Sequence, residues 1–163
     1  MPLKQASLSL GSNLGERESN LRRAAALLDA HGVTFRRVSS LYETEPQDVR
    51  EQPWFLNVAV VVETRLFPLQ LLDRIHKVQA AIGGRHKAPK GPRIIDIDIL
   101  LYGNAVVETP RLVIPHPRMA ARRFVLEPLA EIAPSLRHPV LRRSIAELLA
   151  ATRDQQVRKL HPW

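Results

Sequence analysis

Cysteine is absent from the 163 residues, which excludes both a disulfide framework and a thiolate metal site. Aromatic residues make up only 5%, a small supply for a protein that stacks many bases. No uncharged apolar run approaches the roughly 18 residues a membrane span needs. The opening stretch MPLKQASLSLGSNLG lacks the apolar core of a signal peptide. A cytoplasmic protein with no membrane partner is therefore expected. Repeats, low-complexity tracts and linkers are also missing. A chain of this length can bury roughly 68–70% of its unfolded surface in one core. The expectation is a single domain over residues 1–163, with 151–163 as a C-terminal tail.

What the chain has is positive charge. Lys and Arg total 24 against 16 acids, giving +8 with His neutral and a pI near 10.8. Such a surplus suits a polyanionic partner, either nucleic acid or a phosphorylated small molecule. It also suits a surface that only keeps the protein in solution. Composition does not choose among these.

Alternation over Ala6 to Leu10 predicts a strand, ended by Gly11-Ser12-Asn13. Leu21, Ala24, Ala25 and Leu28 then share one face of a helix from about Glu16 to Ala30, stopped by His31-Gly32. Val33 to Leu41 reads as a second strand and Glu43 to Pro53 as a loop. Phe55 to Glu63 is the strongest strand signal. Pro68 opens a helix that Gly83-Gly84 closes. Arg85 to Gly91 is a basic, turn-rich loop, and Ile94 to Tyr102 is another strand. Val106 to Thr109 is expected to hairpin with it across Gly103-Asn104. Short helices near Ala120 to Ala130 and Ser144 to Thr152 complete the pattern. Strand, helix, strand, strand, helix, strand is the order of an α+β, ferredoxin-like (βαββαβ) sandwich, here with an added hairpin and C-terminal helices.

Two carboxylates stand out. In Ile94-Ile95-Asp96-Ile97-Asp98-Ile99-Leu100, a two-residue period puts Asp96 and Asp98 on one face and the isoleucines on the other. Like charges side by side repel unless a cation lies between them. Mg²⁺ takes such oxygens together with water and phosphate; a neighbouring Arg or Lys is the structural alternative. Lys87, Lys90 and Arg93 precede the pair, and Arg111, His116, Arg118, Arg122 and Arg123 follow it. Metal on the acids and cations on the remaining oxygens are what a Mg²⁺-nucleotide requires.

Phe55 and Asn57 share one strand face, a ring beside an amide. They suit either a flat heterocycle or an ordinary core position. The turn Gly11-Ser12-Asn13-Leu14-Gly15 lacks the Gly-Lys-Ser/Thr ending of a Walker loop, so capping of the following helix is its expected role.

The run Lys90-Gly91-Pro92-Arg93-Ile94-Ile95-Asp96-Ile97-Asp98-Ile99-Leu100 resembles the signature of the 6-hydroxymethyl-7,8-dihydropterin pyrophosphokinase family. Leu10-Gly11-Ser12-Asn13-Leu14 resembles that family's first strand and turn. Gln52-Pro53-Trp54-Phe55-Leu56-Asn57 resembles its pterin segment, and Pro115-His116 through Arg122-Phe124 its late segment. The blocks keep the family's order over about residues 5 to 150. The resemblance implies Mg²⁺-dependent transfer of pyrophosphate from ATP to the pterin hydroxymethyl group, yielding AMP, with two Mg²⁺ ions on Asp96 and Asp98. It implies catalytic roles for Arg93, Asp96, Asp98 and Arg122. ATP contacts are implied for His76, Gln79, Arg85, His86, Arg93, Ile99, Arg111, His116 and Arg122. Pterin contacts are implied for Thr44, Glu45, Gln47, Phe55, Asn57, Asp96 and Phe124. Closure of the loops 44–54 and 84–91 over bound ATP is implied as well. A monomer is expected, with no nucleic-acid partner. Lys90 and Pro117 stand where relatives often carry aromatics. The competing readings are a basic nucleic-acid-binding module on the same kind of sheet and an inactive relative kept as an interaction partner.

Overall fold

The computed structural model describes residues 2–46, 51–83, 94–153 and 155–163. Gln47, Arg85, His86 and Arg93 fall outside the described residues, as does the whole basic loop from Arg85 to Gly91. Apolar alternation in β1 (Lys4–Ser12), β4 (Phe55–Thr64) and β5 (Asp96–Tyr102) builds the centre of an antiparallel sheet. Its order is β5-β1-β4-β3-β8, with β2 (Val33–Val38) also on β4 beside β3 (Ser40–Thr44). The single strand expected over Val33 to Leu41 is thus two strands. Ser39 breaks it: its Oγ accepts from the Ala59 amide at 2.9 Å, and its own amide donates to the Ala59 carbonyl.

Helices α1 (Arg17–Ala30) and α2 (Pro68–Gly83) cover one face. Leu8 and Leu10, Val58 and Val60, and Ile97 and Ile99 meet Leu21, Leu28, Leu71 and Ile75 there in one aliphatic core. On the other face, α3 (Arg123–Ile132) and α4 (Ile145–Ala151) close a second core around Ala59, Val61, Leu100 and Leu101. Leu100 joins Leu101 because the β1–β5 register slips by one residue between Ser7/Leu101 and Leu8/Ile99. Ser144 caps α4 in a reciprocal capping box with Glu147.

Two expectations are corrected. The strand β6 (Val107–Glu108) pairs with β7 (Val113–Ile114), not with β5. The hydrogen bond between Thr109 and the Leu112 carbonyl tightens that turn, while the edge of β5 meets α2 instead: Gln79 Oε1 accepts from the Ile97 amide at 3.1 Å. The tail 151–163 contains a strand, β8 (Val157–Pro162), on the free side of β3. Arg158 and Lys159 interrupt its apolar alternation, as charges on edge strands commonly do. No helix among the described residues is long and apolar enough to cross a membrane.

Candidate active site

Antiparallel register lines up Asp96, Gly11, Asn57 and Tyr42 across β5, β1, β4 and β3. One step along, Asp98 lies beside Ser9. Alternation turns Ser9, Gly11, Asn57 and both aspartates away from the aliphatic core and into a cavity of about 410 Å³. Small-molecule sites run to roughly 300–1,000 Å³.

Glycine makes the floor. A Cβ on Gly11 would stand 2.5 Å from Asn57 Oδ1 and 3.5 Å from the Phe55 ring. With only hydrogen there, the Asn57 carboxamide keeps its place, and its Nδ2 donates to Thr44 Oγ1 at 2.6 Å. Both residues are buried. An amide fixed in this way offers a set edge to a ligand instead of a rotating one.

Thr44, Glu45, Gln52 and Phe55 form one wall. Gln52 Oε1 accepts from Asn13 Nδ2 at 2.7 Å, and the same Nδ2 reaches the Pro53 carbonyl at 3.0 Å. Ser12 Oγ accepts from Asn20. The Gly-Ser-Asn turn therefore does not cap α1, as was expected of it. Glu16 is the N-cap and makes no side-chain cap bond, whereas Asn13 is spent on the loop that carries Gln52.

The opposite wall is His116, Pro117, Arg118, Arg122 and Phe124. The Arg122 guanidinium lies 5.4 Å from the Phe124 ring centre, a cation–π distance. Burial, with Arg122 and Arg118 nearby, pushes the His116 imidazole down to about 4, against a smaller opposing pull from Asp96. His116 is neutral at pH 7. Its Nδ1 accepts from the Arg118 amide at 3.2 Å, which leaves the proton on Nε2 as a donor.

The structure thus gathers Thr44, Glu45, Phe55, Asn57, Asp96, Asp98, His116, Arg122 and Phe124 around one cavity. His76, Gln79, Ile99 and Arg111 do not line it. Arg111 pairs with Asp73 on α2 at 2.6 Å, Gln79 holds the β5 backbone, and Ile99 is core. Ser9, Gly11, Gln52, Pro117 and Arg118 line the cavity without having been assigned to it. A glycine inside an alternating strand is itself a sign of close approach, and that signal was available for Gly11.

Among the described residues no three His, Cys, Asp or Glu side chains cluster as a metal site. Asp96 and Asp98 supply two carboxylates, which suits a hard cation whose other ligands are water and phosphate oxygens. The profile described as 7,8-dihydro-6-hydroxymethylpterin-pyrophosphokinase (HPPK) matches residues 7–134. The chain belongs to the HPPK family. A 2-amino-4-hydroxy-6-hydroxymethyldihydropteridine pyrophosphokinase of Bacillus subtilis is 48% identical over 128 residues, covering 78% of this chain and 77% of the relative. The Methylorubrum extorquens enzyme of the same name is 44% identical over 135 residues, covering 82% and 85%. A crystal structure of an HPPK-DHPS in complex with substrates shares the fold, with a TM-score of 0.72 at 17% identity. It covers 92% of this chain, which spans 43% of that longer one. As a member of HPPK, the chain is a pyrophosphokinase of folate biosynthesis.

Proposed function

We propose that the chain moves a pyrophosphoryl group from ATP to the hydroxymethyl oxygen of 6-hydroxymethyl-7,8-dihydropterin and releases AMP. It does so as a single-domain cytoplasmic monomer with a ferredoxin-like core. The β5-β1-β4 order, with β2 and β3 together on β4, supports that core: α1 links β1 to β2, and α2 links β4 to β5.

One observation carries the reading. A single cavity holds paired carboxylates at one end of its floor and a ring with a fixed carboxamide at the other. Phe55 and Phe124 supply apolar faces for the pterin, and Asn57 reads its edge, with Thr44, Glu45 and Gln47 adding contacts beside it. Asp96 and Asp98 would hold two Mg²⁺ ions, whose charge would neutralise that of the triphosphate. Arg93 and Arg122 bind phosphate oxygens. His116 donates from Nε2 without adding a cation. His76, Gln79, Arg85, His86, Ile99 and Arg111 complete the nucleotide side. The hydroxymethyl oxygen gives up its proton to solvent and bonds to the β-phosphorus as the bond from that phosphorus to the α-phosphate oxygen breaks and AMP leaves. Alignment and charge neutralisation are sufficient, so no protein nucleophile is called for. The family match favours this reading over a nucleic-acid-binding module.

The test is AMP release from ATP. Release should require both the reduced hydroxymethylpterin and a divalent cation. Phe55→Ala should weaken pterin binding in calorimetry and leave nucleotide binding near its original value. ATP cleavage that ignores the pterin would defeat the assignment.

A further inference from the structure

The two walls of the cavity come from distant parts of the chain. Thr44 and Glu45 end β3 and begin the loop after it, whereas Arg122 and Phe124 start α3. The start of α3 has a weakness. Arg122 is its N-cap and makes no side-chain cap bond; the Val125 amide reaches the Arg122 carbonyl, but the Phe124 amide needs a partner from elsewhere. The Phe124 amide finds one in the C-terminal segment, donating to Gln155 Oε1 at 3.1 Å. Gln155 Nε2 is buried with no hydrogen-bond partner, so the carboxamide is used through its oxygen.

The next residue is pinned to the other wall. The Gln156 amide donates to Glu45 Oε1 at 3.1 Å, and the Glu45 amide donates to the Gln156 carbonyl at 3.3 Å. Val157 then pairs with Thr44 in the β3–β8 ladder. Further along, Arg158 bonds Glu43 and lies over the Trp54 ring, and Trp163 packs on the main core. Gln155 is therefore held from β3 while it caps α3. The segment from Gln155 to Trp163 lies beyond residues 7–134, the part matched to the family.

We propose that Gln155 is a positioning residue for the pterin: by accepting from the Phe124 amide, it fixes the Phe124 ring relative to Thr44 and Glu45. This rests on the pyrophosphokinase reading. The experiment compares steady-state kinetics and thermal melting of wild type, Gln155→Met and Gln155→Glu. Methionine keeps the length and removes the acceptor. Glutamate keeps an acceptor, and its charge suits a helix N-terminus. The loss of one such bond is expected to raise the pterin KM about three- to tenfold in Gln155→Met. The ATP KM should stay at the wild-type value, the melting temperature should fall by no more than about 2–4 °C, and Gln155→Glu should recover the pterin KM. An unmoved pterin KM in Gln155→Met overturns the proposal. So does a parallel rise in both KM values with a falling melting temperature, or a Gln155→Glu enzyme as impaired as Gln155→Met. A wild-type chain that releases no AMP with pterin present overturns the pyrophosphokinase reading itself, and this inference with it.

Discussion

The two faces of the central sheet come from the same strands and do opposite work. On the α1/α2 side the inward positions of β1, β4 and β5 are apolar except at strand ends such as Ser12 and Thr64, and Leu8, Leu10, Val58 and Val60 are fully buried. On the other side the strands change character along their length. Ala59, Val61, Leu100 and Leu101 lie under α3 and α4, while Ser9, Gly11, Asn57, Asp96 and Asp98 line the cavity. The first face stabilises the fold by removing aliphatic surface from water. The second gives up part of that gain, because α3 and α4 are short and cover only one end. Polar side chains occupy the uncovered end, where a core would otherwise continue.

Substitutions on β5 should separate the two faces most sharply. Asp98→Ala or Asp96→Ala is expected to lower kcat by roughly 10²–10⁴, since several kcal/mol of charge stabilisation would go with the carboxylates proposed to bind metal. The melting temperature should hardly change, and turnover near the wild-type value in both variants would remove the metal assignment. One residue away, Ile97→Ala should do the reverse. It opens a void in the main core and should cost about 2–5 kcal/mol in urea unfolding. A well-folded enzyme with its stability intact would contradict the packing described for that face.

Gly11→Ala probes the boundary between the faces. Its new methyl group meets Asn57 Oδ1, so the carboxamide must turn and lose Thr44, an overpacking cost of about 1–3 kcal/mol. The pterin KM should rise more than the ATP KM, and equal rises would show that the floor does not discriminate between the substrates. The last test concerns acid. The His116 imidazole titrates near 4 in the fold and near 6.5 when unfolded, so between those values the unfolded chain binds the extra proton. Stability must fall as pH drops through that window, and below about 4 this contribution stops growing. Melting curves of the metal-free protein should show a shallower loss across it in His116→Gln. A slope identical to wild type would mean that His116 is already charged in the fold.

Much of this division could be read in the sequence. Period-two alternation in Ile95-Asp96-Ile97-Asp98-Ile99 and in Phe55-Leu56-Asn57-Val58 assigns each side chain to a face without knowledge of the neighbours. The long helices announced themselves through apolar spacing and their stops. What stayed hidden depends on partners far along the chain. Arg158 and Lys159 look like surface charge until Glu43 and Trp54 are placed beside them. Asn13 looks like a helix cap until Gln52 comes within reach. The slip that brings Leu100 under α3 is a property of the β1–β5 pairing, and neither strand alone carries it.

The strand bearing both aspartates is the outermost one on its side of the sheet, and such a border ordinarily invites a neighbouring molecule to continue the ladder. Midway between the two carboxylates, the amide such a visitor would seek is already engaged by the side chain of Gln79. Freeing that amide, as Gln79→Ala would, leaves an open backbone donor on this border between the two aspartates, where a foreign strand could attach.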